Sequence, residues 1–167
     1  MLYFLIGFMG SGKSYAGRKL AEVLEIPCID MDKEIEANEN SSIQEIFEQH
    51  GETYFRKLEK DFLEKLDPKE DLIISTGGGA PCFFDNMEVM NKKGITIYLN
   101  RSKEVVMKQL LKGIDKRPLL KGKSQEEIWE YYDHKLQERL PFYNQAQLHA
   151  KDLNYIEIGQ MMKSGWL

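Results

Sequence analysis

Residues 7–14 read Gly7-Phe8-Met9-Gly10-Ser11-Gly12-Lys13-Ser14: a glycine, four residues, then Gly-Lys-Ser. The apolar run Leu2-Tyr3-Phe4-Leu5-Ile6 precedes this loop and predicts a buried strand. Tyr15–Leu24 follows, and its apolar residues at Ala16, Leu20, Ala21, Val23 and Leu24 predict a helix. Glycines at 7, 10 and 12 open backbone turns closed to side chains with a Cβ, so that successive N–H groups face inward towards an anion. Lys13 adds a cation on a long stem that reaches the β- and γ-phosphates, and the Ser14 hydroxyl is placed for Mg²⁺. A helix N-terminus behind the loop favours the same negative charge. A glycine-rich turn that binds nothing needs none of this register, so the stretch reads as a nucleotide-phosphate site.

Outward from the loop, the chain alternates in character without repeats, linkers or low-complexity tracts. Pro27–Asp30, Asp71–Ser75, Gly94–Leu99 and Asn154–Ile158 read as further strands. Helices are expected over 32–38, 42–49, 52–66, about 85–92, 102–112 and 125–139, the last stopping before Pro141. Ser42-Ile43-Gln44-Glu45 has the form of a capping box. Alternating strands and helices predict an α/β fold with a central parallel sheet and helices on both faces. Ligands of such sheets gather at the carboxyl ends of the strands.

Length and composition set bounds on this reading. The 167 residues suit one domain, with 42% hydrophobic and 30% charged residues. A net charge of −4 without a basic, aromatic-studded stripe argues against nucleic acid. No apolar run approaches bilayer length, and no leader is expected ahead of the first strand. Two cysteines, Cys28 and Cys82, lack metal-ligand spacing and suit a reduced cytoplasmic setting. An acidic protein that binds an anionic nucleotide must gather its positive charge locally, which makes isolated arginines informative.

Five further stretches carry candidate chemistry. Asp30 and Asp32, two apart on a segment read as extended, would point the same way. One carboxylate could orient water on Mg²⁺ while the other takes a hydroxyl proton, or Asp32 could simply cap a helix. Arg56 sits between core-facing residues, with Glu52 and Glu59 at helical spacing to brace it; a solvated pair is the plainer account. Gly77-Gly78-Gly79 at a strand end would let a ligand lie against backbone amides. Arg117, in the basic stretch 112–124, suits a mobile lid over a transferring phosphate as well as it suits a solvated loop. Arg139 at an expected helix end is explained by the helix dipole alone.

Taken in order, Gly7-x4-Gly12-Lys13-Ser14, Ile29-Asp30-Met31-Asp32, Phe55-Arg56-Lys57-Leu58-Glu59, Gly77-Gly78-Gly79, Arg117-Pro118-Leu119-Leu120 and Arg139-x-Pro141-x-Tyr143 resemble the shikimate kinases. The resemblance covers residues 1–146. Beyond Ala146 it fades, and Leu153–Ile158 with a short tail stand where that family carries a longer closing strand and helix. It implies a three-layer α/β/α P-loop kinase of the nucleoside monophosphate kinase-like type, a single domain over 1–167. Within it, 33–60 is the substrate-binding helical segment and 112–124 the lid. The implied activity moves the γ-phosphoryl of ATP to the 3-hydroxyl of shikimate, giving shikimate 3-phosphate and ADP in aromatic amino acid biosynthesis.

The roles carried by the resemblance are specific. Gly10, Ser11, Gly12, Lys13, Ser14, Tyr15 and Arg117 would bind ATP. Ser14, and Asp30 through water, would hold Mg²⁺. Asp32, Arg56, Gly77, Gly78, Gly79 and Arg139 would bind shikimate, the two arginines gripping its carboxylate. Lys13, Asp32 and Arg117 would act in catalysis. A monomer without nucleic-acid or membrane partners is expected. Another small-metabolite or nucleoside monophosphate kinase on the same fold is the alternative, and a slow nucleotide-dependent switch protein is the rival of a different class.

Overall fold

The structure is a computed structural model and describes residues 1–112, 122–151 and 155–164, with the backbone alone at 156. Strands β1 (Leu2–Ile6), β2 (Cys28–Asp30), β3 (Leu72–Ser75), β4 (Gly94–Asn100) and β5 (Leu148–Lys151) form one sheet in the order β2-β3-β1-β4-β5. Every pairing is parallel, with Leu2 opposite Leu72 on one side and Gly94 on the other. The helices are α1 (Lys13–Leu24), α2 (Met31–Glu39), α3 (Ile43–Lys65), α4 (Asn86–Lys93), α5 (Lys103–Leu111), α6 (Gln125–Tyr143) and α7 (Tyr155–Lys163). A 3-10 turn, Ala80–Cys82, follows β3.

β1 shows why its sequence is apolar throughout. Leu2, Phe4 and Ile6 enter one core with Met31, Ile46 and Met90, while Leu5 enters the opposite core with Ala16, Leu20 and Ile97. A central parallel strand is buried on both faces, so the period of two is hidden in the sequence and visible only in which core each side chain joins. A third core joins Phe8 to α5 and α6 through Val106, Leu110 and Ile128. The chain leaves β1 towards β2 on one side and later reaches β4 on the other. The carboxyl end of β1 is thus the switch point of the sheet, where open α/β sheets bind ligands.

Several local expectations hold with a difference. The Ser42–Glu45 capping box is formed, and the two helices expected over 42–49 and 52–66 join as α3 around Gly51, whose φ of 79° breaks the helical ladder. Three readings are corrected. The fifth strand is Leu148–Lys151, and Tyr155–Lys163 is a helix that packs Tyr155, Ile158 and Met162 onto the core beside α1. Those residues recur at helical spacing, which β-rich composition masked. Helix α6 runs through Pro141 to Tyr143. Proline removes one ladder bond, but the Tyr143 ring stacks on Tyr98 with centroids 5.0 Å apart, and tertiary packing carries the helix on. Finally, Asp30 closes β2 while Asp32 already lies in the first turn of α2, so the two do not share an extended segment.

Candidate active site

The loop after β1 has the backbone its glycines predict. Gly10 and Gly12 take φ of 81° and 88°, the left-handed region, and Gly12 is the N-cap of α1. The Lys13 ammonium folds over the loop and donates to the carbonyls of Gly7 (2.8 Å) and Phe8 (3.0 Å). Ser14 Oγ donates to Asp30 Oδ2 at 2.7 Å. A hydroxyl and a carboxylate are hard oxygen donors beside a phosphate-binding loop. No group of three or more His, Cys, Asp or Glu is gathered for a metal among the described residues. That donor set fits Mg²⁺, which takes one or two protein oxygens and fills its shell with phosphate oxygens and water.

Two clefts meet at this point. The first, of about 720 Å³, is lined by Gly10–Tyr15, Asp30 and Asp32, and also by Arg101, Val105, Gln109 and Tyr155. The second, of about 570 Å³, is lined by Ile43, Phe47, Arg56, Glu59, Gly79 and Arg139, among others. They share Met9, Asp32, Gly77 and Gly78, so the two clefts adjoin at those residues.

Arg56 is only 8% exposed, and Glu59 beside it is fully buried, so the plainer account of a solvated pair fails. The Arg56 Nε–H and an Nη2–H donate to Glu52 Oε1 at 3.1 and 2.9 Å, and an Nη1–H donates to Glu59 Oε2 at 2.8 Å. One N–H is left on each terminal nitrogen for a ligand. Burial opposes the Arg56 charge, yet Glu59 and Glu52 outweigh it and hold its pKa above the usual value. Burial pushes Glu59 up to about 7; Arg56 pulls against that shift and the charge of Asp32 adds to it.

Arg139 is 9% exposed and lies inside α6 rather than at its end, so the dipole account does not explain it. Its Nη1 makes no hydrogen bond among the described residues. The glycine triplet explains how both arginines fit. A Cβ on Gly79 would stand 2.6 and 2.8 Å from the terminal nitrogens of Arg56, and one on Gly78 would stand 3.4 Å from Arg139 Nη1. The two cations therefore border successive glycines. Tyr143 fixes the triplet by donating its hydroxyl to the Gly78 carbonyl at 2.5 Å.

Asp32 has its pKa pushed up to about 6, first by burial and then by the charge of Asp30, with Lys13 and Arg56 pulling it down. Tyr15 stands at the edge of the first cleft, its ring edge-on to Tyr155 at 5.9 Å. Arg117 and the rest of 113–121 lie outside the described residues. Sequence reasoning passed over Arg101 and Tyr155. The signal for Arg101 was its place at a strand's carboxyl end; for Tyr155 there was none once its segment was read as a strand.

Comparison with known proteins agrees with this geometry. The family model described as shikimate kinase matches residues 9–163, beyond the limit at Ala146 that the motifs suggested. The shikimate kinase of Bacteroides fragilis is 46% identical over 143 residues, which span 86% of this chain and 80% of that protein. That of Persephonella marina is 43% identical over 145 residues, 87% of this chain and 85% of the other. The crystal structure of shikimate kinase from Bacteroides thetaiotaomicron superposes with a TM-score of 0.89 at 37% identity, covering 100% of this chain and 99% of that one. Shikimate kinase from Acinetobacter baumannii in complex with shikimate gives 0.86 at 30% identity, with 99% and 92% covered. The closing strand and helix expected to be missing are thus present as β5 and α7, and the chain belongs to the shikimate kinase family.

Proposed function

We propose that the two clefts hold the two substrates of a shikimate kinase at once, ATP in the first and shikimate in the second. The γ-phosphoryl group then crosses at Asp32, Gly77 and Gly78. The observation that carries this reading is the approach of two buried arginines, Arg56 and Arg139, to adjacent glycines in one cleft. A forked guanidinium pair matches a carboxylate, and the glycine backbones leave room for a ring beside it.

The division of labour follows from the site. Backbone amides of Gly10, Ser11, Gly12, Lys13 and Ser14 cradle the phosphates, with Tyr15 at the border of the nucleotide cleft. Lys13 exchanges its loop carbonyls for β- and γ-phosphate oxygens. Ser14, and Asp30 through water, would hold Mg²⁺, which would neutralise charge on the phosphates. Asp32 accepts the proton of the 3-hydroxyl as that oxygen attacks the γ-phosphorus and the bond to ADP breaks. Arg56 and Arg139 grip the carboxylate, Gly77, Gly78 and Gly79 receive the ring, and Arg117 closes with the 112–124 lid. The work of the protein is placement and charge, since phosphoryl transfer asks little covalent chemistry of it.

The same reading takes residues 1–167 as one kinase domain, with 33–60 as its substrate-binding segment, acting as a cytoplasmic monomer. No helix among the described residues is long and apolar enough to cross a membrane, and Cys28 and Cys82 are free thiols. A panel of shikimate, related hydroxy acids and nucleoside monophosphates, each with ATP and Mg²⁺ and followed by ADP release, tests the function. Turnover with shikimate is expected. Preference for a nucleoside monophosphate would overturn the reading, as would ATP hydrolysis independent of any acceptor.

A further inference from the structure

Phe84 is a bulky, non-glycine residue at φ 51°, a conformation in which its side chain gains nothing, since it is 58% exposed. Lys60 lies over its ring, with Nζ 5.4 Å from the centroid and paired with Asp85 at 3.3 Å. A strained residue that is mostly exposed points to a neighbour whose position the strain secures. That neighbour is Phe83. It is extended, at φ −120° and ψ 146°, and the left-handed step after it turns the chain into α4. The turn is closed by the Asn86 N–H, which donates to the Phe83 carbonyl at 3.3 Å. The wholly buried Asn86 side chain ties the same segment back to the Ala80 carbonyl at 2.8 Å.

The Phe83 ring lies 4.2 Å from the Arg56 guanidinium carbon, closer than Phe55 at 5.3 Å. Glu52 and Glu59 fix the edges of that guanidinium. Bonds along the edges restrain the plane through flexible carboxylates, whereas an aromatic face stacked on the guanidinium restrains it directly. Phe83 is not among the residues lining the second cleft, and its described side-chain contact with a lining residue is the one to Arg56.

We propose that Phe83 is a positioning residue that sets the plane of the Arg56 guanidinium for the substrate carboxylate, and that the left-handed turn at Phe84 is what presents it. This rests on the assignment of Arg56 to the shikimate carboxylate. An arginine whose fork is out of plane keeps one hydrogen bond to a carboxylate and loses the second, which weakens ground-state binding without touching the transferring phosphate.

Four variants test it by steady-state kinetics and shikimate titration calorimetry. Phe83→Leu keeps apolar volume and removes the flat face: the shikimate Kd and KM rise on the order of tenfold. In that variant kcat and the ATP KM stay within about twofold. Phe83→Tyr restores the parent values. Phe84→Gly, which adopts the left-handed turn without strain, keeps the parent shikimate Kd. Phe84→Val, β-branched and unable to hold that turn, reproduces the Phe83→Leu defect although residue 84 is outside the cleft. An unchanged shikimate Kd in Phe83→Leu would overturn the proposal, as would equal losses in Phe84→Gly and Phe84→Val. A parent enzyme that failed to bind shikimate would instead overturn the functional reading.

Discussion

Asp32 Oδ1 and Glu59 Oε1, from different helices and both without a hydrogen bond among the described residues, converge on one side of Gly77. A Cβ there would stand 2.8 Å from the first and 2.9 Å from the second. The Glu59 oxygen cannot retreat cheaply, because Glu59 is held by Arg56 and is fully buried. Gly77→Ala must therefore displace Asp32, the proposed base, or Glu59, which braces Arg56, or both. A misplacement of about 1 Å costs on the order of 10²-fold. The expected result is a fall of that size in kcat/KM for shikimate, read by coupled ADP release. Kinetics like those of the parent would mean that the two carboxylates are not confined there.

The raised pKa of Asp32 fixes a pH profile. Its carboxylate must be ionised to accept a proton, so activity is present above about 6 and is lost as pH falls through that value. The acid limb of kcat/KM should bend near pH 6, well above the ordinary aspartate range. Asp32→Asn should lower kcat on the order of 10²- to 10⁴-fold and abolish that limb. A limb that survives in the variant would belong to another group.

The same shift bears on stability with the opposite sense. A carboxyl whose folded pKa is raised favours the folded state below its unfolded pKa, and that contribution is lost as pH rises through about 6. Asp32→Asn should therefore be more stable than the parent at pH 8. Allowing for partial solvent screening, the gain is about 1–2 kcal/mol. It should disappear near pH 4. Thermal unfolding at the two pH values measures it, and loss of activity alongside gain of stability is the expected signature of a base kept in an unfavourable place.

The two clamp arginines should separate in a different way. Arg56→Ala leaves Glu59 buried without its cation, which costs on the order of 3–5 kcal/mol of stability, as well as weakening shikimate binding. Arg139 makes no ion pair among the described residues, so Arg139→Ala should weaken shikimate binding at much smaller cost. Unfolding combined with shikimate calorimetry resolves the two. Equal destabilisation would contradict the assignment of the Glu59 ion pair to Arg56.

Arg117, which lies outside the described residues, is tested by turnover. Arg117→Ala should lower kcat on the order of 10³-fold while shikimate binding changes little, because a lid arginine acts on charge that appears in the transition state. Lys13→Met should remove most ADP production. An effect of Arg117→Ala on KM alone would take that residue out of the lid role.

The P-loop, the sheet and the order of the motifs were legible because each rests on local rules: glycines where φ is positive, continuous apolar runs where a strand is buried on both faces. What sequence could not convey was set by contacts between distant segments. Arg56 resembled a surface ion pair until α3 was packed against the glycine triplet and Phe83. Arg139 had a sufficient local explanation in a helix end, which vanished when the stacking of Tyr143 on Tyr98 carried α6 through Pro141. Tyr155 and Ile158 have strand-like side chains, and only the face they share with Met162 reveals a helix. Asp30 and Asp32 reached the same cleft by a route different from the one expected, a strand end and a helical turn.

The thinness of the partition between the clefts has a practical meaning. Asp32, Gly77, Gly78 and Met9 belong to both chambers, and two of these four carry no side chain. A single inhibitor that joined an anionic ring to a polyphosphate mimic could thread that opening. Each half would tether the other at high effective concentration, so the affinities of two modest fragments would multiply.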